Sequence, residues 1–228
     1  MKRKHPLGGL MAFVTRSEWR HVYGRLLGEH LGPTLEGFGL TTEILIKLLG
    51  KSHVATLWGC VLEDLMTRYV GDEPTNVIDA YLGEAGQTEL DDNRIYMIAV
   101  RSSAMSLYKV AENSCEGILG LNDVIRNWET FLVKRQLEVP SLVPGDWIAT
   151  RLIPNGESYS VTGSLLSLSP RSVELLLNQL ELMATALGIG PLESFSDDQL
   201  RLCTGLFTQA WLLEKMPSSF DIPSMADH

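Results

Sequence analysis

The chain is short of the patterns that announce a chemistry. It contains no CxxC, HxH or HExxH, so the close convergence of ligands that a metal ion needs is missing. Of the five histidines, His5, His21, His30, His53 and His228, the pair His21 and His30 is nine residues apart and does not share a helical face. There is no Walker A loop and no GxGxxG after a strand, so no backbone cradle for phosphates. Gly188-Ile189-Gly190-Pro191 lies between helical patterns and reads as a breaker. No GxSxG is present, and neither a metal nor another cofactor is expected.

Cysteine is scarce too. The three residues Cys60, Cys115 and Cys203 are far apart, which suits buried free thiols in a reducing compartment better than disulfides. Cys60 and Cys203 fall in apolar helical runs, while Cys115 falls in a loop, where it reads as a surface thiol. No apolar run reaches the ~18 residues of a membrane span. The opening MKRKHPLGGLMAFV is broken by Pro6, Gly8 and Gly9 and makes a poor secretion signal. The expectation is a soluble, cytoplasmic protein without membrane contact.

Positive charge is in deficit. The 228 residues carry a formal net charge of −9, which disfavours a phosphate backbone as partner. The distribution is uneven. Residues 1–30 hold six Lys and Arg against two Glu, and the remainder holds thirteen against twenty-six Asp and Glu. The basic arm reads as a solvated terminus, with docking on an acidic surface or on nucleic acid as the functional alternative.

What is present is regular helix and a compact β unit. Ser17 caps a helix through Trp19, Val22, Tyr23, Leu26 and Leu27 that stops at Gly32-Pro33. Thr41 or Thr42 caps a short apolar helix ending at Gly50, and Ser52 opens a longer one. In that helix Val54, Leu57, Val61 and Leu65 form a stripe, with Glu63, Asp64, Thr67 and Arg68 mainly on the other side. Thr75 starts a short helix that Gly83 stops. Residues 88–105 contain the strand-like IYMIAV, yet Thr88 with Asp91 resembles a capping box and the apolar period is helical, so a helix is expected there. Ser169-Pro170 starts a C-terminal helix, and Ser196 with Gln199 caps a last one running through Leu202, Cys203 and Leu206.

Between residues 105 and 169 the period falls from 3.6 to 2. Tyr159, Val161, Gly163 and Leu165 alternate with Ser158, Ser160, Thr162 and Ser164. Asn155-Gly156 signals a hairpin to Trp147–Ile153, and Pro144-Gly145-Asp146 a preceding turn. Thr130–Val139 and Leu107–Val110 supply further strands, with a weaker turn at Asn127. Four or five antiparallel strands are expected, as a small sheet, a small β-barrel or a partly open one.

Several side chains invite a chemical reading. Lys109, Lys134, Arg135 and Arg151 beside Trp128 and Trp147 could contact nucleic acid or a partner, as a basic and aromatic sheet face does. The plainer reading makes the aromatics core and the charges a solvated rim. Glu63-Asp64 and Asp91-Asp92 are adjacent pairs of the kind usually solvated on a helix. Asp197-Asp198 suits a helix's first turn, at the positive end of its dipole.

MSLYKV at 105–110, Pro144-Gly145-Asp146-Trp147-Ile148-Ala149-Thr150-Arg151 and Gly163-Ser164-Leu165-Leu166 together resemble a family of uncharacterised proteobacterial proteins with an SLYxV start and a GDxIAxR strand. Asn122-Asp123-Val124-Ile125 occupies the place of that family's D-L-L piece. The resemblance covers roughly residues 88–168 and implies a helix before the SLYxV strand. No activity is assigned to that family, so no site residue carries over.

The expected fold is α+β: residues 1–87 helical, 88–169 a helix plus an antiparallel β unit, 170–228 C-terminal helices and tail. The function expected first is a non-enzymatic interaction protein or adaptor of a bacterial assembly, with a protein partner or a second copy. The alternatives are a nucleic-acid-binding protein, disfavoured by charge, and an enzyme with carboxylates distant in sequence.

Overall fold

The computed structural model describes residues 7–70, 74–112, 117–134 and 142–216. Three helices lead: α1 (Gly8–Val14), α2 (Ser17–Phe38) and α3 (Thr42–Thr67). The short strands β1 (Tyr69–Val70) and β2 (Thr75–Asn76) pair and lead into α4 (Val77–Glu84). Then α5 (Asp91–Ser102) enters the β unit of β3 (Met105–Val110), β4 (Ile118–Asp123), β5 (Glu129–Lys134), β6 (Trp147–Asn155) and β7 (Ser158–Leu168). The helices α6 (Pro170–Leu187), α7 (Asp197–Leu202) and α8 (Thr204–Lys215) pack back on it. The architecture is the expected α+β one.

Local signals place most boundaries. Ser169 caps α6 through Ser172 N–H with Pro170 at the first position, and Ser196 and Gln199 form the reciprocal box of α7. Gly50 leaves the helical region at φ 69° and divides α3 into the two helices expected. By length and composition α3 is apolar enough to cross a membrane. The last helix of the sequence reading is in fact two, because Cys203 leaves helical geometry between α7 and α8.

One boundary is corrected. Pro33 does not end α2, which runs on to a left-handed cap at Gly39. Proline in a helix leaves the carbonyl four residues earlier without its donor. Here that carbonyl belongs to Glu29, and the Gln209 side-chain amide of α8 donates to it at 2.9 Å. Gly205 lets α8 come this close, since a Cβ there would stand 3.3 Å from the same oxygen. Gln209→Ala should therefore cost about 1 kcal/mol, and much less in a Pro33→Ala background that restores the helical N–H. Urea unfolding of the four variants measures this coupling, and strict additivity would refute it.

The strands follow the order β3-β4-β5-β7-β6, and β6 returns to β3. The Asn155-Gly156 hairpin is present, with Gly156 at φ 66°. The strand β4, which alternation does not place, pairs with β5 from Ile118↔Lys134 to Asp123↔Glu129. Of the expected strand Thr130–Val139, residues 135–139 lie outside the described residues.

A small, fully laddered antiparallel barrel is not what forms. Between β5 and β7 the pairing is parallel and consists of one pair, Val133↔Tyr159. Parallel strands joined by a long connection meet late and share little length here. β5 therefore runs beyond the start of β7, and the sheet is a curled, split one rather than a continuous barrel.

The faces of this sheet serve different cores. Tyr108, Leu121, Val133, Ile148 and Val161 fill its interior. Leu107, Ala149, Leu166 and Leu168 face outward and pack with Leu57, Leu176 and Phe207 of the helices. A second helical core joins α1 to α5 around Phe13, Leu26, Leu65, Ile78 and Met97.

Candidate functional site

The expectation that Glu63 and Asp64 are solvated is overturned. Both are buried, Asp64 completely, and so is Thr67. Adjacent residues on a helix point about 100° apart, and this lets α3 address two neighbours at once. Asp64 turns toward α2, where His30 Nε2 donates to its Oδ2 at 3.1 Å. Arg68, one turn on, grips the same carboxylate with two bonds of 3.1 and 2.9 Å and reaches Glu29 at 3.1 Å. The other ring nitrogen of His30 meets the Thr208 hydroxyl of α8 at 2.9 Å.

Glu63 turns toward β7, where the ladder is irregular. Between the pairs Thr150↔Leu165 and Leu152↔Val161, Arg151 stands opposite three residues, Thr162–Ser164. Such a bulge releases backbone groups from the ladder. Glu63 takes them up, accepting from Ser164 N–H at 3.1 Å and from the Thr162 hydroxyl at 2.8 Å. Gly59, one turn earlier on α3, allows the approach, because a Cβ there would lie 2.9 Å from Ser164 Oγ.

Arg151 occupies the centre of this cluster and is wholly buried. Its Nη2 lies 3.7 Å from Asp64 and its Nε 3.8 Å from Glu63. It donates to the Ser103 carbonyl at 3.3 Å and to Thr204 Oγ1 at 3.2 Å. Burial pushes the Glu63 carboxyl up and the Arg151 guanidinium down. Burial also raises Asp64, but His30 and Arg68 outweigh it and hold that carboxyl below its ordinary value.

Threonine, histidine and aspartate in a row suggest nucleophilic catalysis. The arrangement is sealed, however: Thr208, His30 and Asp64 have no exposed surface. His30 ties α2 to Asp64, Thr208 ties α8 to His30, and Glu63 holds the bulge, so the cluster clamps α2, α8 and β7 to α3. Burial likewise keeps the Cys60 and Cys203 thiols inert, pushing them up to about 12 and about 11.

The six proposed contact residues do not form one surface. Arg151 is removed from any contact role by its burial, a correction that follows from its two carboxylate partners. Lys109, Trp128 and Trp147 do come together on the outer face: the Lys109 ammonium sits 5.1 Å from the Trp147 ring centre, and the Trp128 and Trp147 rings meet edge to face at 6.5 Å. Trp128 is half exposed and has φ 61°, unusual for so bulky a residue. Lys134 is exposed at the far end of β5. Arg135 and Cys115 lie outside the described residues. Among the described residues no three His, Cys, Asp or Glu side chains converge as metal ligands do.

Accessible concavity lies elsewhere, at the split mouth of the sheet. A groove of about 520 Å³ runs between α5 and the ends of β5, β6 and β7. Ile95 and Ile98 line one side, Phe131, Leu152 and Tyr159 the other, with Arg126 and Asp197 at one end. Arg126 pairs with Asp197 and stands 3.8 Å from Asp123. Asp123 closes the turn after β4, accepting from Ser106 Oγ at 2.7 Å and from the Ile125 and Arg126 N–H groups at 3.0 Å each. Ile95 is 67% exposed and Ile98 43%, a high exposure for isoleucine on a helix that packs against a core. Among the described residues, no strand pairs with Glu129–Leu132 on the side away from β4.

Comparison of the chain with protein-family models, with curated proteins and with solved structures finds no match.

Proposed function

We propose that the chain is a non-enzymatic adaptor that binds an extended segment of a partner protein at the split mouth of its sheet. The observation that carries this reading is the stretch Glu129–Leu132 of β5, which among the described residues pairs with no strand on its β7 side and lies beside an apolar groove. A free strand edge presents a row of backbone donors and acceptors. A peptide that adds to it gains backbone hydrogen bonds, and pockets beside the edge select alternate side chains. Here Phe131, Tyr159 and Ile98 offer the apolar pocket. The charge of the partner follows from the rim. Glu129 and Glu157 are exposed two residues from Phe131 and Tyr159, whereas Arg126 is already held by Asp197. The segment is therefore extended, with apolar residues alternating with Lys or Arg.

The sealed ion cluster supports the same reading, because the Glu63 and Asp64 carboxylates are buried beyond the reach of a substrate. Burial of Arg151 and the acidic total weigh against nucleic acid.

Selection of random peptides displayed on phage against the intact chain tests this. Selected sequences are expected to alternate apolar and basic residues. Ile98→Lys, on the exposed face of α5, should weaken them at least about tenfold, and N-methylation of alternate peptide amides should do the same. Peptides indifferent to Ile98→Lys and to N-methylation, an absence of enrichment, or pairing of β5 with a second copy of the chain would overturn the proposal.

A further inference from the structure

A second concavity lies on the opposite part of the helical layer. Helices α1, α2 and the second half of α3 line an open cleft of about 470 Å³, within the range of small-ligand sites. Met11, Val14, Trp58 and Leu62 give it an apolar wall. An apolar cavity of about 150 Å³ accommodates one benzene, so this one holds an alkyl chain of about twelve carbons with room left.

Its polar lining residues are few: Thr15, Arg20 and Tyr23. Arg20 lines the cavity and is exposed. The other arginines of these helices are matched: Arg16 with Glu84, Arg25 with Glu29, Arg68 with Asp64 and Glu29. Among the described residues Arg20 has no such acidic partner. Tyr23, three residues on along α2, contributes a phenol to the same cavity. A guanidinium without a carboxylate, set at the mouth of an apolar cavity, matches a ligand with an apolar tail and an anionic head. Arginine binds a carboxylate through two parallel N–H bonds.

We infer that this cavity binds an amphipathic monocarboxylate, with its alkyl chain against Trp58 and Leu62 and its carboxylate on Arg20. Such a site is separate from the groove at the split mouth, and neither depends on the other.

Calorimetric titration of the intact chain tests it, with dodecanoate, dodecanol and dodecylammonium as probes below their micelle concentrations. Dodecanoate is expected to bind at least about tenfold tighter than either of the others, the factor that one charge-assisted bond supplies. Arg20→Gln should remove that preference while leaving the affinity for dodecanol unchanged. Met11→Trp, at a half-exposed position of the wall, should fill the cavity and abolish binding of all three. Equal affinity for the acid and the ammonium, binding that survives Met11→Trp, or no binding of dodecanoate would overturn the inference.

Discussion

Arg151→Met lowers the free energy of unfolding by about 3–5 kcal/mol, the usual cost of leaving buried charges without their partner. Methionine matches much of the arginine stem in volume, so the loss is electrostatic rather than a cavity. The wild-type side chain stands between Glu63 and Asp64 and also holds Thr204 and the Ser103 carbonyl. Without it the buried Glu63 carboxylate loses its guanidinium partner, while Asp64 keeps only His30 and Arg68. Against a total stability of about 5–15 kcal/mol for a domain, the effect approaches the threshold of folding. Equilibrium urea unfolding reads it as a lower midpoint. Lys134→Met, on the same sheet but exposed at the end of β5, should change stability by no more than about 0.5 kcal/mol.

Asp64→Asn has an effect of the same size, about 3–5 kcal/mol near neutral pH, and a pH dependence that identifies its origin. The Asp64 carboxyl is held below its ordinary value in the fold. A group depressed in this way stabilises the fold above the unfolded-state value of about 3.9, and loses that contribution as pH falls through the lower folded value. The gap between wild type and Asp64→Asn should therefore narrow only below about pH 4. Glu63 behaves in the opposite sense, because burial raises its carboxyl. Its ionisation costs stability as pH rises from about 4.3 through the folded value. Glu63→Gln should thus gain on wild type as pH increases over that range. Unfolding midpoints across pH 3–8 separate the two neighbours, and parallel pH profiles for both variants would refute the assignment.

How far the sequence carries depends on the range of the interactions involved. Ser169-Pro170, the Ser196 and Gln199 box, Gly50 and Asn155-Gly156 act within a few residues, and the structure follows each of them. Pro33 misleads because its rescue comes from Gln209, on a helix near the other end of the chain. The run Ile118–Asp123 hides a strand because Leu119, Gly120 and Leu121 break the alternation that betrays β7. The parallel pair Val133↔Tyr159 has no local signature at all.

The charged cluster was partly legible. The second half of α3 is its buried part, with Leu57, Cys60, Val61, Leu65 and Met66 in the cores. Asp64 is expected mainly opposite the Leu57 and Val61 stripe, yet it falls seven residues after Leu57 and three after Val61, on their face, where a solvated acid does not belong. That placement is the signal for a buried, paired carboxylate. Its partners are not legible, since His30, Arg151 and Thr208 come from three other elements. The groove was equally hidden: Ile95 and Ile98 follow the helical apolar period of α5, and yet both stand exposed beside the groove.

Hydrogen exchange on the β5 amides, with and without a peptide selected as above, tests the account most directly. In the free chain, the amides of Thr130–Leu132 that point away from β4 should exchange far faster than those of β4, whereas the Glu129 N–H is already held by the Arg126 carbonyl. On binding, the same amides should gain protection. Slow exchange of these amides in the free chain would mean that the seam is closed, and protection by peptide confined to other elements would place the binding site elsewhere. Either result would contradict the reading of this molecule as a clamped scaffold with an open strand edge at β5.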